Sequence, residues 1–159
     1  MKLSTKGRYA VMALTDLARH EASGPVSLSD ISLRQGISLA YLEQIFVKLR
    51  RAGIVSSTRG PGGGYLLAHG AEGTRVLDIM LAVDEPIKTT RCGGDTSKGC
   101  HAGSARCLTH DLWAELGHMI EMFLASVSLA DVVARRNLSP YGLDFLREGA
   151  RTPAEQGAA

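Results

Sequence analysis

The sequence has no long hydrophobic run. Nothing in its 159 residues approaches the roughly 20 consecutive apolar residues that cross a bilayer, so no membrane partner is expected. Its opening, Met1-Lys2-Leu3-Ser4-Thr5-Lys6-Gly7-Arg8, lacks the apolar core of a secretory signal, and a cytoplasmic location is expected. Cysteine is scarce. The three present contain no Cys-x-x-Cys pair, which counts against a thiol-redox enzyme, and more generally no Cys-x2–4-Cys knuckle of the kind most structural zinc sites use. In a reducing compartment, three clustered cysteines point to metal ligation or redox chemistry rather than to a disulfide framework. A glycine-rich stretch at residues 60–64 lacks the Gly-Lys-Ser/Thr of a nucleotide phosphate loop.

What is present starts with an uneven charge. Residues 1–70 carry nine Lys+Arg against four Asp+Glu, a net of +5. Residues 71–159 carry nine against twelve, a net of −3. A basic front half suggests a polyanionic partner. Residues 4–20 read as a helix capped by Ser4 or Thr5, with Ala10, Val11, Leu14, Leu17 and Ala18 at helical spacing. A second helix starts at Ser27, where Ser27-x-x-Asp30 resembles a capping box, and ends near Gly36. Ser38 caps a third, running to about Ala52. Two helices joined by a tight glycine-bearing turn form a helix-turn-helix.

The third helix suits the recognition role. Leu42, Ile45, Phe46 and Leu49 make one inward face. Ser38, Ala40, Tyr41, Glu43 and Gln44, near its start, are candidates to reach base edges. Gln44 suits adenine, and Glu43 suits cytosine N4 or the rejection of a wrong base. Lys48, Arg50 and Arg51 suit phosphates, adding sequence-blind, salt-dependent affinity. Next, Ile54–Thr58 and Tyr65–Ala68 read as paired strands around Arg59-Gly60-Pro61-Gly62-Gly63-Gly64. That is a wing, whose glycines permit close backbone approach at Gly60 and whose Arg59 suits a narrow minor groove. Thr74 is expected to cap a further helix through Leu77, Ile79, Met80 and Val83, ended by Asp84-Glu85-Pro86.

All three cysteines and two of the five histidines fall between Arg91 and His110, spaced Cys92-x7-Cys100-x6-Cys107-x2-His110. Three thiolates and an imidazole suit Zn²⁺ or an iron–sulfur cluster. The open spacing favours the wider cluster. With only three cysteines for four positions, a histidine, solvent, a small molecule or another chain completes the set. His110 lies one helical turn beyond Cys107 and is preferred. His101 directly follows Cys100 and is poorly placed for the same iron. Inert buried thiols are disfavoured, because the loop of Gly, Ser, Thr, Lys and Asp offers nothing apolar to bury them. A zinc-stabilised structural or interaction module stays open as the alternative. Beyond the loop, residues 109–135 read as one long helix. Leu112, Leu116, Met119, Ile120, Phe123, Leu124 and Val127, with Trp113, form an apolar stripe suited to pairing two copies on two half-sites.

The expected architecture is mainly α. It comprises a winged helix-turn-helix with a two-stranded wing over residues 1–83, a cysteine-bearing loop over 84–110, a long dimerisation helix over 109–135, and a loosely ordered tail over 136–159. Several stretches, among them Ser4–Val11, Gln35–Ser38, Tyr41–Gln44, Arg59–Leu67, Ala82–Glu85 and Cys107–His110, make the chain resemble a known family. It is similar to the cysteine-bearing winged-helix repressors that include the nitric-oxide sensor NsrR and the iron regulator RirA, and among them to the regulators of iron–sulfur cluster assembly. The resemblance spans nearly all of residues 1–135. It implies a homodimer that binds double-stranded operator DNA and holds one [2Fe–2S] cluster per subunit through Cys92, Cys100, Cys107 and His110. It further implies the cluster-assembly machinery as cluster donor, and control, chiefly repression, of the assembly genes. Glu43 falls where this family uses a glutamate to discriminate against one operator class in the cluster-free form. The cysteines here are spaced more widely than the family pattern.

Overall fold

The computed structural model describes residues 4–90 and 107–136. Its elements are α1 (Thr5–His20), a 3₁₀ turn (Glu21–Ser23), α2 (Leu28–Gln35), α3 (Leu39–Arg51), β1 (Val55–Thr58), β2 (Gly64–Leu67), α4 (Gly70–Gly73), α5 (Val76–Ala82), α6 (His110–Ser126) and α7 (Leu129–Val133). The helix starts follow their caps. The hydroxyls of Ser4, Ser27 and Ser38 accept from the backbone N–H of Lys6, Asp30 and Tyr41 at 3.2, 3.1 and 3.4 Å. Gly36 closes α2 in the left-handed conformation, φ 65°. Thus α2, the turn and α3 form the expected helix-turn-helix.

The wing pairs Val55 with Leu67 and Thr58 with Gly64 in antiparallel register. Val26 adds a single bridge to Tyr65, with N···O distances of 3.0 and 2.8 Å. That third segment explains Gly64, because a Cβ there would sit 2.5 Å from the Val26 backbone. One core serves all of this. Leu14, Leu17, Ile31, Leu42, Ile45, Phe46, Leu49, Ile79, Val83 and Leu129 are fully buried. By the usual measure, each such side chain contributes roughly 1.5–3 kcal/mol of burial free energy.

Leu129 brings a correction. The expected single helix over 109–135 is broken: α6 ends at Ser126, Val127 is extended (φ −88°, ψ 120°), and α7 restarts at Leu129. The backbone of this break is spent on pairing with the segment before α5. Val76 N–H donates to Val127 O at 3.0 Å and Leu129 N–H to Thr74 O at 2.9 Å. Ser128 and Asp131 form a capping box that starts α7. The chain therefore returns to the winged domain and buries Leu129 in its core. The same pairing displaces Thr74 from its expected capping role. Thr74 and Arg75 are extended, α5 starts only at Val76, and the buried Thr74 hydroxyl donates back to Gly70 O at 2.8 Å. Helix α4, a single turn, was not expected.

The C-terminus of α5 is a Schellman turn. Asp84 N–H donates to Leu81 O and Glu85 N–H to Met80 O, both at 3.0 Å, and Asp84 takes φ 55°. Among the described residues, no helix is long and apolar enough to cross a membrane.

Candidate nucleic-acid interface and cysteine–histidine site

The four inward residues of α3, Leu42, Ile45, Phe46 and Leu49, are 0–1 % exposed, which fixes the roll of the helix. At 100° per residue, Ala40, Gln44, Val47 and Arg51 project on the opposite side. Glu43 and Arg50 flank that outward row on one side, Tyr41 and Lys48 on the other. Ser38, Ala40, Glu43, Gln44, Arg50 and Arg51 are exposed, and Tyr41 is half-buried with its ring edge-on to Tyr9, centroids 6.0 Å apart. Arg59 and Gly60 are exposed at the wing tip. Gly60 and Gly62 have φ of 102° and 75°, and Gly63 N–H closes the tip on Gly60 O at 2.9 Å. A Cβ at Gly63 would lie 2.4 Å from Thr58 O. The tip is thus compact bare backbone beside a guanidinium, a shape that fits against a sugar–phosphate chain.

Lys48 is not simply solvated. Its ammonium is held by the Asp84 carboxylate, and Lys6 Nζ donates to Asp84 O at 3.2 Å. The hydrogen bond and charge of Lys48 keep the Asp84 carboxyl below its ordinary value. Next to it, the Glu85 carboxylate accepts from the backbone N–H and hydroxyl of Ser4, and the Ser4 hydroxyl holds that carboxyl low as well.

A second arrangement, unread in the sequence, ties α1 to α2. Asp16, 4 % exposed, accepts from Arg34 Nε at 3.1 and 3.0 Å, from Arg34 Nη2 at 2.6 Å and from Gln35 Nε2 at 2.8 Å. Burial opposes the Asp16 charge, but the hydrogen bonds from Arg34 and Gln35, with the Arg34 charge, outweigh it and hold the carboxyl below its ordinary value. The partners are 18 and 19 residues apart in sequence, so spacing gave no signal.

Of the expected metal-ligating residues, Cys92 and Cys100 lie outside the described residues. Cys107 and His110 meet at the start of α6. Cys107 stands just before the helix, its sulfur 3.8 Å from the Thr109 hydroxyl, and its carbonyl accepts from His110 N–H at 3.0 Å. His110 is the first residue of α6 and is 8 % exposed. It lines a cavity of about 230 Å³ between α6 and the segment Ile87–Thr90, together with Ala114, Gly117, His118 and Glu121. That segment lies close on the helix: a Cβ at Gly117 would come within 2.4 Å of the Thr89 hydroxyl. Thr90, two residues before Cys92 in sequence, borders the same cavity. A soft sulfur and a nearly buried imidazole one helical turn apart are a donor set that fits zinc or an iron–sulfur cluster. The remainder of α6 presents Leu112, Trp113, Leu116, Met119, Met122 and Phe123 as exposed apolar side chains.

The model of the family described as "Rrf2: Iron-dependent Transcriptional regulator" matches residues 3–135. An HTH-type transcriptional regulator of Azotobacter vinelandii, ORF2, is 56 % identical over 154 residues, covering 96 % of this chain and 92 % of its own. The HTH-type transcriptional regulator IscR of Photorhabdus laumondii is 55 % identical over 133 residues, covering 84 % and 79 %. Among solved structures, T. potens IscR superposes with a TM-score of 0.68 at 35 % identity, covering 92 % and 96 %. CymR, the global cysteine regulator of B. subtilis, superposes with 0.71 at 31 %, covering 86 % and 99 %. These relatives are named as regulators. The chain belongs to the Rrf2 family of iron-dependent transcriptional regulators, as a DNA-binding helix-turn-helix member of the IscR type.

Proposed function

We propose that this regulator is a homodimeric sensor of iron–sulfur cluster status, with one [2Fe–2S] cluster per subunit, and that it chiefly represses the genes of cluster assembly. The observation that carries the reading is the placement of Cys107 and His110 at the two ends of the turn that leads into α6, with the chain leading to Cys92 bordering the cavity that His110 lines. Cys92, Cys100 and Cys107 supply thiolates and His110 an imidazole. Bound there, a [2Fe–2S] cluster supplies a one-electron redox centre whose presence reports iron and sulfide supply. A histidine among the ligands suits a site that is readily lost or retuned. The cluster-assembly machinery is the natural donor.

The reading heads are α3 and the wing. Gln44 and Ala40 face the groove with Ser38 and Tyr41 beside them, Glu43 screens operators, and Lys48, Arg50, Arg51, Arg59 and Gly60 hold the backbone. The exposed apolar face of α6 is the pairing surface for the second copy, which sets the half-site separation. Ligand state alters DNA choice only through a difference in affinity between two arrangements of the dimer.

The test is a visible absorption spectrum of anaerobically purified protein, with iron, sulfide and zinc assayed on the same sample. The reading expects a coloured species with two irons and two sulfides per chain, and different operator affinity once the cluster is removed. One zinc per chain without colour would replace it with a zinc-stabilised module. Equal affinity of loaded and cluster-free protein for every operator would end the sensing role.

A further inference from the structure

We infer that Asp84 is an intramolecular competitor for the DNA backbone: it occupies the Lys48 ammonium in the free protein and yields it to a phosphate on binding. The inference rests on the reading of Lys48 as a phosphate contact. Two independent features support it. Lys48 projects on the flank of the outward row of α3, beside Tyr41, where a long flexible stem reaches either way. The carboxylate paired with it sits at a backbone position that disfavours a side chain. Asp84 has φ 55° at the C′ position of the Schellman turn, where glycine is the usual occupant.

That turn does not need the carboxylate. Its two backbone hydrogen bonds close it, Lys6 holds the Asp84 carbonyl rather than its side chain, and Glu85 is fastened to Ser4. The Asp84 side chain, with 73 % of its surface exposed, therefore has Lys48 as its described partner, and Lys48 is itself 38 % exposed. A carboxylate and a phosphodiester are the same kind of acceptor to an ammonium, a compact point charge with rotatable donors. The exchange swaps one anion for another. Asp84 thus lowers affinity for any duplex without altering which sequence is preferred.

The size of the effect follows from the exposure of the pair. Exposed ion pairs are weak, so releasing Lys48 should tighten DNA binding by about two- to fivefold per subunit at low salt, less as salt rises. Asp84→Asn is the suitable change, because asparagine tolerates the left-handed conformation and leaves the turn intact. The experiment measures anisotropy of a labelled mixed-sequence duplex against full-length parent, D84N, K48Q and the double variant, matched for iron content. The expected result has three parts: K48Q weakens binding and lowers the salt slope by about 0.9 per subunit; D84N tightens binding in the parent; and most of that gain disappears in the K48Q background. An equal gain in both backgrounds, or no gain in the parent, would overturn the competition. An unchanged affinity for K48Q would instead remove Lys48 from the DNA contacts and overturn the reading beneath it.

Discussion

The Asp16 cluster gives a sharp test of what holds the helix-turn-helix together. Asp16 lies on α1, and its partners Arg34 and Gln35 close α2, so a single carboxylate ties the two helices together beside their shared core. Asp16→Ala removes an acceptor of four hydrogen bonds of 2.6–3.1 Å. Breaking a fully buried pair costs about 3–5 kcal/mol. The Arg34 side chain is 34 % exposed and can turn to water, which reduces the expected loss to about 2–3 kcal/mol, the size of one strong charge-assisted bond. Urea unfolding followed by circular dichroism at fixed protein concentration measures it. Arg34→Ala should cost at least as much as Asp16→Ala, since it leaves the buried carboxylate with Gln35 alone, and the double variant should cost far less than the sum. The sign of the pH dependence is also fixed. A carboxyl whose folded pKa is depressed contributes its full stability above the ordinary carboxylate value, about 3.9, and loses it as pH falls below that toward the folded value. The parent and Asp16→Ala should therefore differ most near neutrality and converge in acid. A loss under about 0.5 kcal/mol, or additive single losses, would show that the cluster is not the clamp.

Three further outcomes are expected. Arg59→Ala should weaken binding to all duplexes and lower the salt slope by about 0.9 per subunit, read by anisotropy over a salt series; unchanged affinity would remove the wing tip from the interface. Leu116→Asp with Met119→Asp, both at exposed positions of α6, should give monomers in sedimentation with the helical signal retained, and a surviving dimer would move the pairing surface elsewhere. Leu129→Ala should destabilise the winged domain by about 2–5 kcal/mol, because Leu129 is fully buried in its core; a loss under 1 kcal/mol would mean that α7 merely rests on the surface.

The sequence carried its local signals well. Ser4, Ser27, Ser38 and Gly36 mark the helix ends where the structure has them, because a cap is decided by residues within three or four positions of each other. The inward row of α3 and the glycine tip of the wing were legible for the same reason. Fixing the roll of α3 fixes which side chains face outward, so the outward face followed from periodicity alone. What stayed hidden joins distant residues. Asp16 with Arg34, Lys48 with Asp84, and Thr74 with Leu129 are separated by 18, 36 and 55 positions, and no propensity encodes such pairs. One local signal was present and outweighed. Ser128-x-x-Asp131 repeats the pattern of Ser27-x-x-Asp30, yet the apolar stripe runs across it, and helical period without a breaker reads as continuity.

That break matters for how α6 is held. Were the helix continuous to Arg135, its C-terminal half would project from the winged domain on its own. Instead the chain turns back at Val127, pairs with residues 74–76 and buries Leu129, so the end of α6 is tied to the core that carries α3. Midway along, Gly117 admits Thr89 so closely that a Cβ there would force the Thr89 side chain to move. That segment begins at the Schellman turn, whose Asp84 holds Lys48 on α3. Two routes among the described residues therefore join α6 to α3, one through Val127 and Leu129 and one through Thr89, along the chain to Asp84, and on to Lys48. The first is buried and hydrogen-bonded, and the second is exposed and held by a single ion pair. If ordering at Cys107 and His110 reaches α3 by either, the weak route moves first, since an exposed pair yields for a fraction of the free energy that a buried leucine does.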